Sequence, residues 1–130
     1  MTYRVYLVDD DRFLLDLYAV KFKNAGHEVT VFNGGEELLA SLRKDEVKAP
    51  DAILLDLIMP GMGGFEALEA IRKEGLAKGT KIIILSNQGQ DSDIERAKQL
   101  SADGYIIKAS AIPSEVFAET LRTIEAPAKQ

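Results

Sequence analysis

The chain has 130 residues, 46% apolar and 28% charged, with a net charge of −5 and no cysteine. Such a length makes one domain, able to bury roughly two-thirds of its unfolded surface. The composition excludes disulfides and thiolate metal sites, and the acidic balance argues against direct DNA or RNA binding, which needs a basic face.

Arg4-Val5-Tyr6-Leu7-Val8 is rich in β-formers and runs into Asp9-Asp10-Asp11, a first strand ending in polar residues. A helix follows over 12–25, with Leu14, Tyr18, Phe22 and Ala25 at helical spacing and Gly26 as its stop. Phe13, Leu17 and Val20 widen its apolar surface, which predicts a deeply packed helix. His27, the single histidine, sits in a turn-like context and reads as an exposed residue; with no second histidine or cysteine, histidine-based catalysis is not expected. Residues 28–32 read as the second strand, broken by Asn33-Gly34, and 35–44 as a helix with Leu38, Leu39 and Leu42 inward. Glu36 and Glu37 fall in its first turn, where the helix dipole favours negative charge.

A polar loop over 45–50 leads to Ala52-Ile53-Leu54-Leu55-Asp56. An unbroken apolar run is how a strand buried on both faces of a parallel sheet reads. Pro60 and Gly61 then turn the chain, and Phe65, Leu68 and Ile71 mark a third helix over 64–74, stopped by Gly75. Residues 81–85 form the fourth strand, ending at Ser86-Asn87. Ser92 and Glu95 have capping-box spacing and open a helix through Leu100. Residues 105–107 form the fifth strand, ending at Lys108, and Pro113 opens the last helix with Phe117, Leu121 and Ile124 on one face. The domain is expected to occupy 1–125, with 126–130 a flexible tail.

Strand and helix alternate five times, which predicts an α/β fold: a doubly wound, five-stranded parallel sheet covered on both faces. A closed barrel would need about twice the length. No run approaches the ~18 apolar residues of a membrane span, and no signal peptide is evident, so a cytoplasmic protein without membrane contact is expected.

In open α/β sheets ligands collect outside the carboxyl ends of the strands. Those ends supply Asp9, Asp10 and Asp11, then Asp56, Ser86 and Lys108. Carboxylates about 5 Å apart repel by roughly 3 kcal/mol per pair at an effective dielectric near 20. The relief is a proton or a cation, and an all-oxygen cluster suits Mg²⁺, with Mn²⁺ the alternative. Mg²⁺ is commonly shared with a phosphate, which makes Lys108 and Ser86 partners for phosphoryl oxygens and Asp56 the candidate nucleophile. Taken singly each residue has a plainer role: Asp10 or Asp11 as a helix cap, Ser86 as a loop hydroxyl, Lys108 as a solvated charge. Complementary groups on four strand ends are hard to obtain by accident.

With Val8-Asp9-Asp10, the block from Leu55 to Gly61, Ser86 after the fourth strand, and Gly104-Tyr105-Ile106-Ile107-Lys108, the chain resembles a receiver domain of two-component response regulators over nearly its whole length. The resemblance implies a flavodoxin-like (βα)5 fold with strand order 2-1-3-4-5. It implies that Asp56 accepts a phosphoryl group from a sensor histidine kinase or histidine phosphotransfer protein. Asp10 would bind Mg²⁺ directly and Asp9 directly or through water, with Asp56 and the Ile58 backbone carbonyl completing the site. Ser86 and Lys108 would contact the phosphoryl group. Tyr105 would act as the aromatic switch that alters the surface of the fourth helix, fifth strand and fifth helix, against a plainer role as a half-buried strand tyrosine.

Further implied are a downstream target or fused output domain, and a monomer, or a dimer once phosphorylated. Ala109 stands where receivers usually have proline, often cis; a cis bond without proline costs about 3 kcal/mol. Asn87, followed by Gln88, stands where a small residue is usual, Gly63 where an acid is common, and Ile58 where a polar side chain is frequent. Asn87, Gln88, Ile58 and Ala109 are therefore the modulating positions, and Ile58 is expected to hinder attacking water. Two other readings compete: a haloacid-dehalogenase-like phosphatase with Asp9 as nucleophile, and a receiver-like interaction module that is never phosphorylated. Nucleotide-binding glycine motifs are absent, since residues 61–66 fail GxGxxG.

Overall fold

A computed structural model describes residues 2–44, 48–87, 89–108 and 111–127. Five strands and five helices alternate: β1 Arg4–Val8, α1 Arg12–Asn24, β2 Glu28–Phe32, α2 Gly35–Leu42, β3 Ala52–Asp56, α3 Gly64–Glu74, β4 Lys81–Ser86, α4 Asp91–Gln99, β5 Gly104–Ile107 and α5 Pro113–Glu125. The strands form one sheet in the order β2-β1-β3-β4-β5. All four neighbouring pairs are parallel, so every strand ends on the same rim. β3 is buried at all five positions, as its apolar run demands. Of the expected 45–50 loop and 126–130 tail, residues 45–47 and 128–130 lie outside the described residues.

Alternate strand side chains feed two cores. One face carries Tyr6, Val8, Ile53, Leu55, Ile82 and Ile84 beneath α2, α3 and the single buried residue of α4, Ala97. The other carries Val5, Leu7, Leu54, Ile83, Leu85 and Ile106 beneath α1 and α5. Among the described residues no helix is long and apolar enough to cross a membrane.

Several local expectations fail, each for a physical reason. The buried face of α1 is Leu15, Tyr18, Ala19 and Phe22. Phe13, Leu17 and Val20 are 72%, 39% and 54% exposed. At 100° per residue they share one stripe on the side of α1 opposite the core, so the helix is apolar on two faces and packs by only one. The capping box at Ser92 and Glu95 does not form; the N-cap of α4 is Gln90, two residues earlier, with no side-chain cap. On α5 the deepest residues are Val116, Thr120 and Thr123, one position off the Phe117 face, which is half-buried. The threonine hydroxyls donate to the Val116 and Glu119 carbonyls at 2.8 Å, which lets a polar type occupy an apolar position.

His27 is half-buried rather than exposed. Its ring stacks on Tyr3 at 5.4 Å and its Nδ1 accepts the Tyr3 backbone N–H at 3.0 Å. The Tyr3 hydroxyl in turn donates to Glu125 at 3.0 Å, joining the start of β1 to the last residue of α5.

Candidate functional site

β1 delivers Asp9 to the rim by one further ladder bond: the Asp9 N–H donates to the Phe32 carbonyl at 3.2 Å. Asp11 then caps α1, its side chain accepting from the Leu14 N–H at 3.2 Å. β3 ends at Asp56, and Leu57 extends the pairing by donating to the Leu85 carbonyl at 3.0 Å. α3 starts hard against this strand end. A Cβ on Gly64 would lie 2.4 Å from the Asp56 carbonyl oxygen, so only glycine permits the approach.

The rim residues line one cavity of about 410 Å³: Asp9, Asp10, Asp11, Leu14, Asp56, Ile58, Ser86, Asn87 and Lys108. Asp9 and Asp56 are 1% and 5% exposed, whereas Asp10 is open to solvent. One carboxylate oxygen from each of these three aspartates lies within 4.8 Å of the others. The Lys108 ammonium bridges the two buried acids, 2.7 Å from Asp9 Oδ2 and 2.8 Å from Asp56 Oδ1. The other oxygen of Asp9, Oδ1, accepts the Asp11 N–H at 2.9 Å. Both oxygens of Asp9 are therefore engaged.

Burial pushes the Asp56 carboxyl up to about 6, against the pull of the Lys108 ammonium and with a further push from Asp9 and Asp10. Burial alone would pull Lys108 down, but its bonds to Asp56 and Asp9 outweigh this and hold it above the ordinary lysine value. The Asp56 carboxylate is thus poorly solvated and only partly offset by Lys108, a state suited to a nucleophile. An oxygen-only cluster of this kind fits a hard divalent cation.

Ser86, buried at the end of β4, shares the cavity wall with Asn87. Ile58 projects at its mouth with 70% exposure. Tyr105 does not line the cavity; it is half-buried on β5, packed against the core beneath α2 and α3. Gln88 and Ala109 lie outside the described residues. Sequence reasoning overlooked Leu14 as a wall of the cavity. Its signal was available: it is the first-turn residue three positions after the capping acid.

The family profile described as response regulator receiver domain matches residues 5–117. PilH of Pseudomonas aeruginosa is 26% identical over 121 residues, covering 93% of this chain and 96% of that protein. The DNA-binding response regulator MtrA of Mycobacterium tuberculosis is 30% identical over 108 residues, 83% of this chain but 45% of MtrA. The chain thus spans about half the length of MtrA-type relatives. Among solved structures, the chemotaxis response regulator CheY4 of Vibrio cholerae superimposes with a TM-score of 0.84 at 28% identity, covering 95% of this chain and 99% of that one.

The sign of the Asp56 shift sets a pH dependence. Its folded pKa of about 6 lies above the unfolded value, so ionising it costs stability as pH rises through 6. Asp56→Asn should raise Tm of the metal-free protein near pH 8. The gain should shrink as pH falls through 6 and vanish below about pH 4. Thermal unfolding of both proteins across that range, in chelator, measures it.

Proposed function

This chain belongs to the receiver domain family of two-component response regulators, and we propose that Asp56 is its phosphoacceptor, charged by a partner histidine kinase or histidine phosphotransfer protein. The carrying observation is the buried Asp56 held by Lys108 beside two further carboxylates in an open cavity. In the transfer, an Asp56 oxygen forms a bond to phosphorus as the donor's P–N bond breaks, and the electron pair leaves on the imidazole nitrogen. Lys108 would then have a phosphoryl oxygen as an added anionic partner, and the Ser86 hydroxyl would donate to another.

Asp10, Asp56 and the Ile58 backbone carbonyl would hold Mg²⁺, or Mn²⁺ in its place, and Asp9 would reach it through water because both its oxygens are engaged. The ion supplies positive charge against the phosphoryl oxygens. By positioning these groups the domain promotes its own phosphorylation and dephosphorylation. Tyr105 would report the change by moving with Ser86, altering the α4–β5–α5 surface read by a target protein or an attached output domain. Asn87, Gln88 and Ala109 would set the rates. The receiver unit is taken to close with α5 at Glu125, to work in the cytoplasm without touching nucleic acid or membrane, and to act as a monomer or pair when phosphorylated.

The phosphatase reading would make Asp9 the nucleophile. With 1% exposure and both oxygens engaged, Asp9 is the worst placed of the three acids. A phosphodonor protein must contact the cavity mouth, where Ile58 is exposed and Phe13 directly precedes the cavity-lining Leu14. The Phe13, Leu17 and Val20 stripe runs from there along α1, a ready apolar face for a helical donor.

Incubation with acetyl phosphate and Mg²⁺ should add one hydrolysis-labile phosphoryl group, mapping to Asp56 and absent in Asp56→Asn. Label on Asp9 would support the phosphatase, and none the unphosphorylated module. Ile58→Asn should shorten the phosphorylated lifetime several-fold by admitting water; an unchanged decay would remove Ile58 from that role. Phe13→Ser should slow transfer from a phosphohistidine protein about tenfold while leaving acetyl phosphate labelling at the parent rate. Equal slowing of both would place the defect in the site.

A further inference from the structure

α4 is held to the rest of the molecule differently from its neighbours. α3 buries Gly64, Phe65, Ala67, Leu68 and Ile71, while α4 buries only Ala97. The N-cap of α4, Gln90, makes no side-chain cap bond. Leu100 at its C-cap adds a partly buried contact with the core, so apolar burial holds this helix far less than it holds α3.

Polar contacts from α3 take that role. Arg72 donates from Nε to the Leu100 carbonyl at 3.1 Å and from Nη2 to the Ser101 carbonyl at 2.8 Å. These carbonyls lie at the C-terminal end of α4, where a helix leaves its acceptors unpaired and favours a cation. Arg96 of α4 reaches the other way: its guanidinium lies over the Phe65 ring, 4.6 Å from the centroid, and pairs with Glu69 at 2.5 Å. Both members of that pair are about half exposed. Ser101, meanwhile, has φ of 61°, left-handed backbone that favours glycine and is strained for serine. The end of α4 is strained in its own backbone and restrained by an arginine from another helix.

α4 is also close in sequence to the site. Four residues separate Ser86, in the cavity wall, from Asp91, the first residue of α4. We propose that Arg72, with the Arg96–Glu69 pair, is a latch that sets how often α4 is released from α3, and that its release is coupled to the state of Asp56. The coupling rests on the phosphoacceptor reading; the latch does not. Because coupling between two sites is reciprocal, a weaker latch must raise affinity for a phosphoryl group at Asp56 if that group favours release. Arg72 and Ser101 touch neither the cavity nor its acids, so variants there leave the chemistry itself in place.

Two variants push the latch in opposite directions. In the unphosphorylated protein, Arg72→Met should lower hydrogen-exchange protection of the α4 amides about tenfold with the sheet unaffected, and Ser101→Gly should raise it. Binding of beryllium trifluoride with Mg²⁺, a phosphoryl mimic, should tighten three- to tenfold in Arg72→Met and weaken in Ser101→Gly. Unchanged α4 protection in both variants overturns the latch. Altered protection with unchanged mimic affinity overturns the coupling. A parent protein that binds no mimic at all overturns the phosphoacceptor reading, and the coupling with it, while exchange still decides the latch.

Discussion

One lysine holds the site together. Lys108 stands between Asp9 and Asp56, all three side chains almost wholly withdrawn from water. Removing charges from water costs several kcal/mol per ion, and a buried pair repays this only with good geometry and further hydrogen bonds. Here the geometry comes from the sheet. Parallel pairing brings the ends of β1, β3 and β5 to one rim, and the remaining oxygen of Asp9 is met by the Asp11 amide. The residual strain falls on Asp56, whose carboxyl is still displaced upward. The proposed cation would offset an imbalance of that sign.

The loops after the strands serve this triad. Asp11 caps α1 through its side chain and steadies Asp9 through its backbone, so one residue starts the helix and orients the acid. Gly64 lets α3 begin in contact with the Asp56 backbone. Neither residue carries chemistry, yet each determines where a chemical group stands.

Most of the fold was legible because the signals were local and strong: four apolar residues before Asp56, glycine stops after α1 and α3, proline at the start of α5. The rim was legible because parallel topology converts strand ends into neighbours. What failed had tertiary causes. Apolar spacing on α1 identified a helix but could not say which of two apolar faces met the sheet, so Phe13, Leu17 and Val20 were placed inside and Leu15 was overlooked. On α5 the sequence marked the Phe117, Leu121 and Ile124 face, because nothing local reveals that the Thr120 and Thr123 hydroxyls bond within the helix and can be buried. His27 read as exposed because its stacking partner, Tyr3, is distant in sequence. The bridge from Lys108 to Asp9, which with the Asp11 amide engages both oxygens of that acid, is likewise a fact of three-dimensional placement.

The bond from Tyr3 to Glu125 has a consequence for how a signal leaves the domain. It ties the end of α5 to the beginning of β1, at the pole of the sheet opposite Asp56. α5 runs the length of the molecule between those poles, 13 residues or about 20 Å. The last residue of α5 therefore stands at the far pole of the sheet from the acid cluster, fixed there by a side-chain bond between residues 122 positions apart in the chain. A shift of α5 at the rim is thus carried to β1 as well as along the helix.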